Sequence, residues 1–197
     1  MNAIPLFETE GALPGFLGAL RYEGCEAFED AGLGVRLAYG SGLTRADVYL
    51  YDSGTPYVSN EIDSEEVETH FLQAYSNILE AAEMGGYERF QAGAVEWMQL
   101  PGDFPKPSYH WATFVFGGRH GVRNGSRNGP RKGSDPCHGD NSGLFVSHLM
   151  VRSDGGYINK IRYTVPLEDA EQVEGLIQFL VDWQNTVQAC CCEVPRH

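Results

Sequence analysis

Two histidines, His110 and His148, stand in segments of strongly β-forming composition, SYHWATFVFGG (Ser108–Gly118) and LFVSHLMVR (Leu144–Arg152). Alternation along a strand groups His110 with Ala112, Phe114 and Phe116, and His148 with Val146 and Met150. If these strands are neighbours, the two rings are expected to face each other across the sheet beneath a helix. There they would serve as a base, a pH switch or a ligand pair, because imidazole changes charge close to neutral pH. That is the enzyme reading of the chain, a small hydrolase-like protein using His110 and His148. No motif marks a serine or cysteine nucleophile beside them, so the spacing does not spell a triad. A hydrogen-bonded, half-buried histidine is the commoner outcome. Glu88 and Glu96 fall on the side of the preceding segment that carries Phe90 and Met98, which makes them an acid–base candidate of the same kind.

A second set is cationic. Lys160 and Arg162 alternate with Ile161 and Tyr163, and Arg36 alternates with Leu37 in an earlier segment. On one uncovered sheet face, Arg36, Lys160 and Arg162 would form a basic stripe for an anionic ligand or an acidic partner. The competing arrangement is a cross-strand ladder of ion pairs with Asp47, Glu88 or Glu96, favoured by the acidic surplus of the chain.

The most conspicuous local pattern is GGRHGVRNGSRNGPRKGSD, Gly117–Asp135, in which Gly and Arg return at every fourth position. Spaced arginines with free backbone N–H groups suit phosphate or RNA contact. Against that, the beat resembles duplicated tetrads, and lengthening a surface loop costs only about 0.6 kcal/mol per doubling. The tract 118–143 is therefore read as a flexible Gly/Arg-rich insertion at a hairpin tip. It also holds Cys137 and His138 within DPCHGD. These are metal-ligand types without the paired CxxC or HxxxH spacing of a zinc site, so no metal is expected. Cys25 lies between Glu23 and Glu26, which suppress a thiolate, and Cys190, Cys191 and Cys192 fall in a C-terminal tail over 188–197. No cofactor motif occurs, and no cofactor is expected.

The 197 residues carry 14 Lys plus Arg against 27 Asp plus Glu, a formal charge of −13. Such a surface repels polyphosphate, which makes nucleic acid a poor partner outside the Arg/Gly tract. No apolar run is long enough for a transmembrane helix, and no membrane partner is expected. The first residues lack a basic n-region, so a cytoplasmic location is expected, or a periplasmic one if a signal peptide has been removed.

These residues need elements to position them. GVRLAYG (Gly34–Gly40) and ADVYLYD (Ala46–Asp52) have period-two patterning and form a hairpin. From Asp63 the period changes, with Asp63 or Ser64 as cap, Glu65 and Glu66 in the first turn, and a stripe through Val67, Phe71, Ala74, Ile78 and Ala82 closed by Gly85–Gly86. Four more strands follow, over Tyr87–Leu100, Ser108–Gly118, Leu144–Arg152 and Tyr157–Pro166. A final helix over Leu167–Val187 has a stripe of Val173, Leu176, Ile177, Leu180 and Val187, with Trp183 on its flank. The run Leu13–Leu20 reads as a short helix or a covering segment. The class is α+β: one domain, 1–197, with an antiparallel sheet of about six strands in the order β-β-α-β-β-β-β-α, packed with two main amphipathic helices.

RLAYGSGLTRADVYLYD leading into a helix, and LFVSHLMVRSDGGYINKIRYTVP leading into the last one, resemble the fold of the photosystem II extrinsic subunit PsbP and the Mog-type Ran-binding proteins. The chain is also similar to bacterial proteins of that type with the same V-Y-x-Y-D and K-I-R pattern. The resemblance covers about residues 33 to 187, rests on element order, and carries over no functional residue. It implies a module that binds partners and does not catalyse. The expected function is thus a non-catalytic binding or accessory module for a protein or small-molecule partner, with room for a homodimer.

Overall fold

The computed structural model describes residues 13–54, 58–102, 104, 108–117, 143–171 and 173–193. Among these residues eight strands form one sheet: β1 (Phe16–Leu17), β2 (Leu20–Ala27), β3 (Val35–Ser41), β4 (Thr44–Tyr51), β5 (Glu88–Met98), β6 (Tyr109–Gly117), β7 (Leu144–Asp154) and β8 (Tyr157–Pro166). Their spatial order is β1-β2-β3-β4-β8-β7-β6-β5, and every pairing is antiparallel. The class is α+β as expected, but the sheet has eight strands where about six were expected. The two additional ones come from the Leu13–Leu20 region and its continuation. Instead of a helix, the chain turns at Gly18, whose φ of +54° favours glycine, and enters LRYEGCEA as a strand. A bulge between Tyr22 and Gly24 interrupts its alternation.

Two helices cover opposite faces. Helix α1 (Glu65–Glu83) begins at Ser64, whose Oγ accepts from the Val67 N–H at 3.3 Å. It carries the chain from β4 over β8, β7 and β6 to the far edge, and β5–β8 then return as a meander that closes on β4. Its stripe Val67, Phe71, Ala74 and Ile78 is buried against Ala112, Phe114, Leu149, Val151 and Ile158. Helix α2 (Val173–Glu193) covers the other face with Leu176, Phe179, Leu180, Trp183 and Val187, packed on Leu37, Tyr39, Val48, Met150 and Ile161. Trp183 is fully buried at the centre of that stripe, not on its flank, and Val173 is exposed. The helix starts after a separate 3-10 turn at Leu167–Asp169, and its backbone stays helical through Glu193, so Cys190–Cys192 belong to the helix and not to a loose tail.

A buried polar cluster fastens α2 to the sheet. Arg152 on β7 pairs with Asp154 (Nε–Oδ2 2.6 Å), and Asp154 also accepts from Asn159 Nδ2 (3.2 Å) and Gln184 Nε2 (3.2 Å). Gln184 Oε1 in turn accepts from the Tyr109 hydroxyl at 3.3 Å. Desolvation pushes the Asp154 carboxyl above its ordinary range, against the pull of Arg152 and its hydrogen bonds. The Gly/Arg insertion expected at 118–143, with Cys137 and His138, lies outside the described residues apart from Gly143.

Candidate functional site

Strand alternation fixes what each face offers. On β4, Ala46, Val48 and Leu50 point to the α2 core, which leaves Asp47, Tyr49 and Tyr51 on the α1 face. On β8, Ile161, Tyr163 and Val165 join the α2 core, and Lys160 and Arg162 lie with Tyr49 and Asp47. Because α1 sits over β5–β8, the sheet steps down from helix to open surface at the β8–β4 pair. A cleft of about 350 Å³ occupies that step. Tyr49, Tyr51 and Lys160 line it from the sheet, and His70, Gln73, Ala74 and Asn77 from one stripe of α1. Phe28 and Leu33, from the β2–β3 connection, form the opposite wall. Phe28 stacks on Tyr49 with ring centroids 6.4 Å apart and planes 11° from parallel. That connection is drawn in by Gly34, which has φ +65° and no room for a Cβ beside Leu50 O.

The register brings Arg36, Lys160 and Arg162 to this one face, as the basic-stripe reading expects: Arg36 is opposite Tyr49, Tyr49 opposite Lys160, and Asp47 opposite Arg162. Their environments differ. Arg36 is neutralised by Asp47 at 2.7 Å and by Glu26 at 3.4 Å, and Arg45 by Glu23 at 2.8 Å, so the β2–β4 end of the face is an ion-pair ladder. Lys160 has no carboxylate within ion-pair distance among the described residues. Its Nζ lies 4.3 Å from the Tyr49 ring centroid and 5.6 Å from that of Tyr51. Burial, and secondarily the charge of Arg162, push its amine below the ordinary lysine range. Arg162 also lacks a carboxylate among the described residues. It donates to Ser147 Oγ (3.1 Å) and to the Tyr87 hydroxyl (2.9 Å), with its guanidinium over the Tyr87 ring.

Desolvation raises both cleft phenols, with Asp47 adding to the effect at Tyr49, so both stay protonated at neutral pH. Desolvation likewise lowers His70, an effect that Glu66 opposes and Lys160 reinforces. The His70 Nε2 is 3.5 Å from Ser53 Oγ, and its ring meets Tyr51 edge-on. The cleft thus combines one unneutralised amine, two phenols, a neutral imidazole and two side-chain amides within aromatic walls.

The histidine-pair expectation fails on register. His110 is opposite Val151 and His148 opposite Thr113 on the same strand pair, which puts them on opposite faces of the sheet. His110 is wedged between Trp97 (3.9 Å) and Phe71 (5.3 Å), with Nε2 3.0 Å from Ile62 O. His148 lies on the α2 face, where its Nδ1 accepts from Trp111 Nε1 at 3.2 Å. Burial alone holds it neutral, pushed down to about 4. The Glu88–Glu96 pairing fails as well. Glu88 is opposite Gly117 and Glu96 opposite Trp111, about 20 Å apart along β6 at the usual strand rise. Two irregularities in β5 also send Phe90 to the α1 core and Met98 to the α2 core. Cys25 is exposed on β2, its thiol raised by partial desolvation and then by Glu26. Among the described residues, no group of three or more His, Cys, Asp or Glu is placed to hold a metal, and no helix is long and apolar enough to cross a membrane.

Sequence reasoning overlooked Tyr49, Tyr51 and His70. The tyrosines were legible in V-Y-x-Y-D as the residues alternating with a buried Val48 and Leu50. His70 was not, because which strands α1 crosses depends on the β4–β8 pairing. Fold and cleft together define an α+β domain with an aromatic, cationic cleft where sheet and helix step apart. Among known proteins, no family model, no curated protein and no solved structure matches the chain.

Proposed function

We propose that this chain is a non-catalytic binding module that takes a small acidic ligand into the cleft between α1 and the β4–β8 face, in the manner of a PsbP/Mog-like domain that works by binding. One observation carries the reading: Lys160 is partly buried, yet among the described residues its ammonium is met by aromatic rings and by no carboxylate within ion-pair distance. A cation–π contact contributes about 0.5–2 kcal/mol, whereas taking an ammonium out of water costs several. The difference favours an anion at that point. Arg36 supplies the contrast, since two strands away, on β3, the same sheet face neutralises its charge with two carboxylates. The cleft is also of the size that small ligands occupy.

Thermal shift against acetate, succinate, benzoate and inorganic phosphate tests this. At about one hundred times Kd, a cleft ligand stabilises the fold by ~2.7 kcal/mol. At least one acid is expected to raise the melting temperature of the wild type and not that of Lys160→Met. Equal responses from both proteins, or none from either, contradict the reading.

A further inference from the structure

Lys160 is one of only three lysines in the chain, beside Lys106 and Lys132, and the only one among the described residues, where it lines the cleft. We propose that Lys160 is a Schiff-base lysine whose amine condenses reversibly with the carbonyl group of a small oxo acid seated in that cleft. The inference rests on the cleft reading above and narrows its ligand class from acids in general to acids that carry an aldehyde or ketone.

The geometry supplies what the condensation needs. The reactive form of lysine is the free amine, and a carboxylate held against it would keep it protonated. Lys160 has none among the described residues, and burial together with the Arg162 charge favours the neutral form. In the reaction the nitrogen lone pair attacks the carbonyl carbon as the carbonyl π pair moves to oxygen. The amine protons pass to that oxygen, the C–O bond breaks, and water leaves behind a C=N bond. Nothing is oxidised or reduced. The cleft groups able to relay these protons from nitrogen to oxygen are the neutral His70 and the protonated phenols of Tyr49 and Tyr51; each regains the proton it passes on, and hydrolysis of the imine retraces the same transfers in reverse. Protonation of the imine restores a positive charge beside the ligand's acid group. Arg162, two residues along the same face and without a carboxylate of its own among the described residues, adds to the field that retains that group.

Glyoxylate with cyanoborohydride, followed by peptide mapping, reads the adduct directly on the full chain. The expected result is labelling of Lys160 at least tenfold faster than of Lys106 or Lys132, saturating with glyoxylate and following a pH–rate curve displaced to lower pH. A non-carbonyl acid that binds the cleft is expected to slow it competitively. Lys160→Arg is expected to lose this adduct. Labelling of Lys160 no faster than the other two lysines overturns the proposal. If the wild-type shift and its loss in Lys160→Met persist in that case, the imine is wrong and the acid-binding cleft stands. If they are absent too, both readings fall.

Discussion

Substituting Gly34 by alanine probes how tightly the β2–β3 connection, and with it the Phe28–Leu33 wall of the cleft, is drawn onto β4. Gly34 has φ +65°, where an L-residue is strained by about 1–2 kcal/mol. An added Cβ would also stand 1.9 Å from Leu50 O and 2.9 Å from Tyr51 Cα. Both obstacles are backbone, so no rotamer relieves them, and β3 must retreat from β4 by about 1 Å or more to restore ordinary contact distances. That retreat strains the Phe28 N–H to Gly34 O bond (3.0 Å) and the Val35–Leu50 pairing, each worth about 1 kcal/mol. The expected loss is about 3–4 kcal/mol, which for a domain of this size lowers the melting temperature by roughly 10 °C. Gly42 provides the control. It has φ +58° at the first position of the two-residue β3–β4 turn, but nothing within 4 Å of an added Cβ. Gly42→Ala should therefore show the strain alone, about 1–2 kcal/mol. Thermal denaturation of the two variants side by side is the assay. Melting temperatures within about 2 °C of each other would refute the close approach of Gly34 to β4 and the wall position derived from it.

The buried ion pair and the α2-face histidine give two further expectations. Asp154→Ala strands Arg152 inside the protein and should cost about 3–5 kcal/mol by urea denaturation. The double change Arg152→Met with Asp154→Leu should recover most of that loss, and equal losses would show that the pair's charge is not what matters. His148 is held at about 4 in the folded state against an ordinary 6.5. Below 6.5 the unfolded chain takes up a proton that the folded chain refuses until about pH 4, so this stability is present above 6.5 and lost as pH falls through that window. Between pH 7 and pH 5 the loss is about 2 kcal/mol. His148→Gln should flatten urea midpoints over that interval, and an unchanged slope would place the histidine in water.

Local signals were legible and long-range ones were not. Ser64 as cap, the Val67–Ile78 stripe and the Gly85 stop lie within one helix and its ends, where side chain and backbone interact over three or four residues. The alternation of β3, β4 and β8 was equally plain, which is why Arg36, Lys160 and Arg162 could be assigned to one face. The first two strands were not recognised because Gly18 and the bulge at Gly24 break LGALRYEGCEA into fragments too short to show a period. Trp183 was placed on the flank because the stripe was drawn through Val173, whereas the turn of helix that meets the sheet begins at Leu176. The error over His110 and His148 has a different origin. Each was grouped correctly within its own strand, but which faces coincide depends on a register that a single-residue slip inverts, and no residue pattern in either strand states it.

Lysine labelled with carbon-13 at Cε gives only three side-chain signals, and Lys160→Arg identifies the one of interest. Following that signal with pH, without and with an acid that shifts the melting temperature, tests the unneutralised amine most directly. The expected result is a midpoint below the ordinary 10.5, displaced upward when the acid binds. A midpoint at the ordinary value, indifferent to added acid, would mean that Lys160 is solvated and that the cleft has no call for an anion.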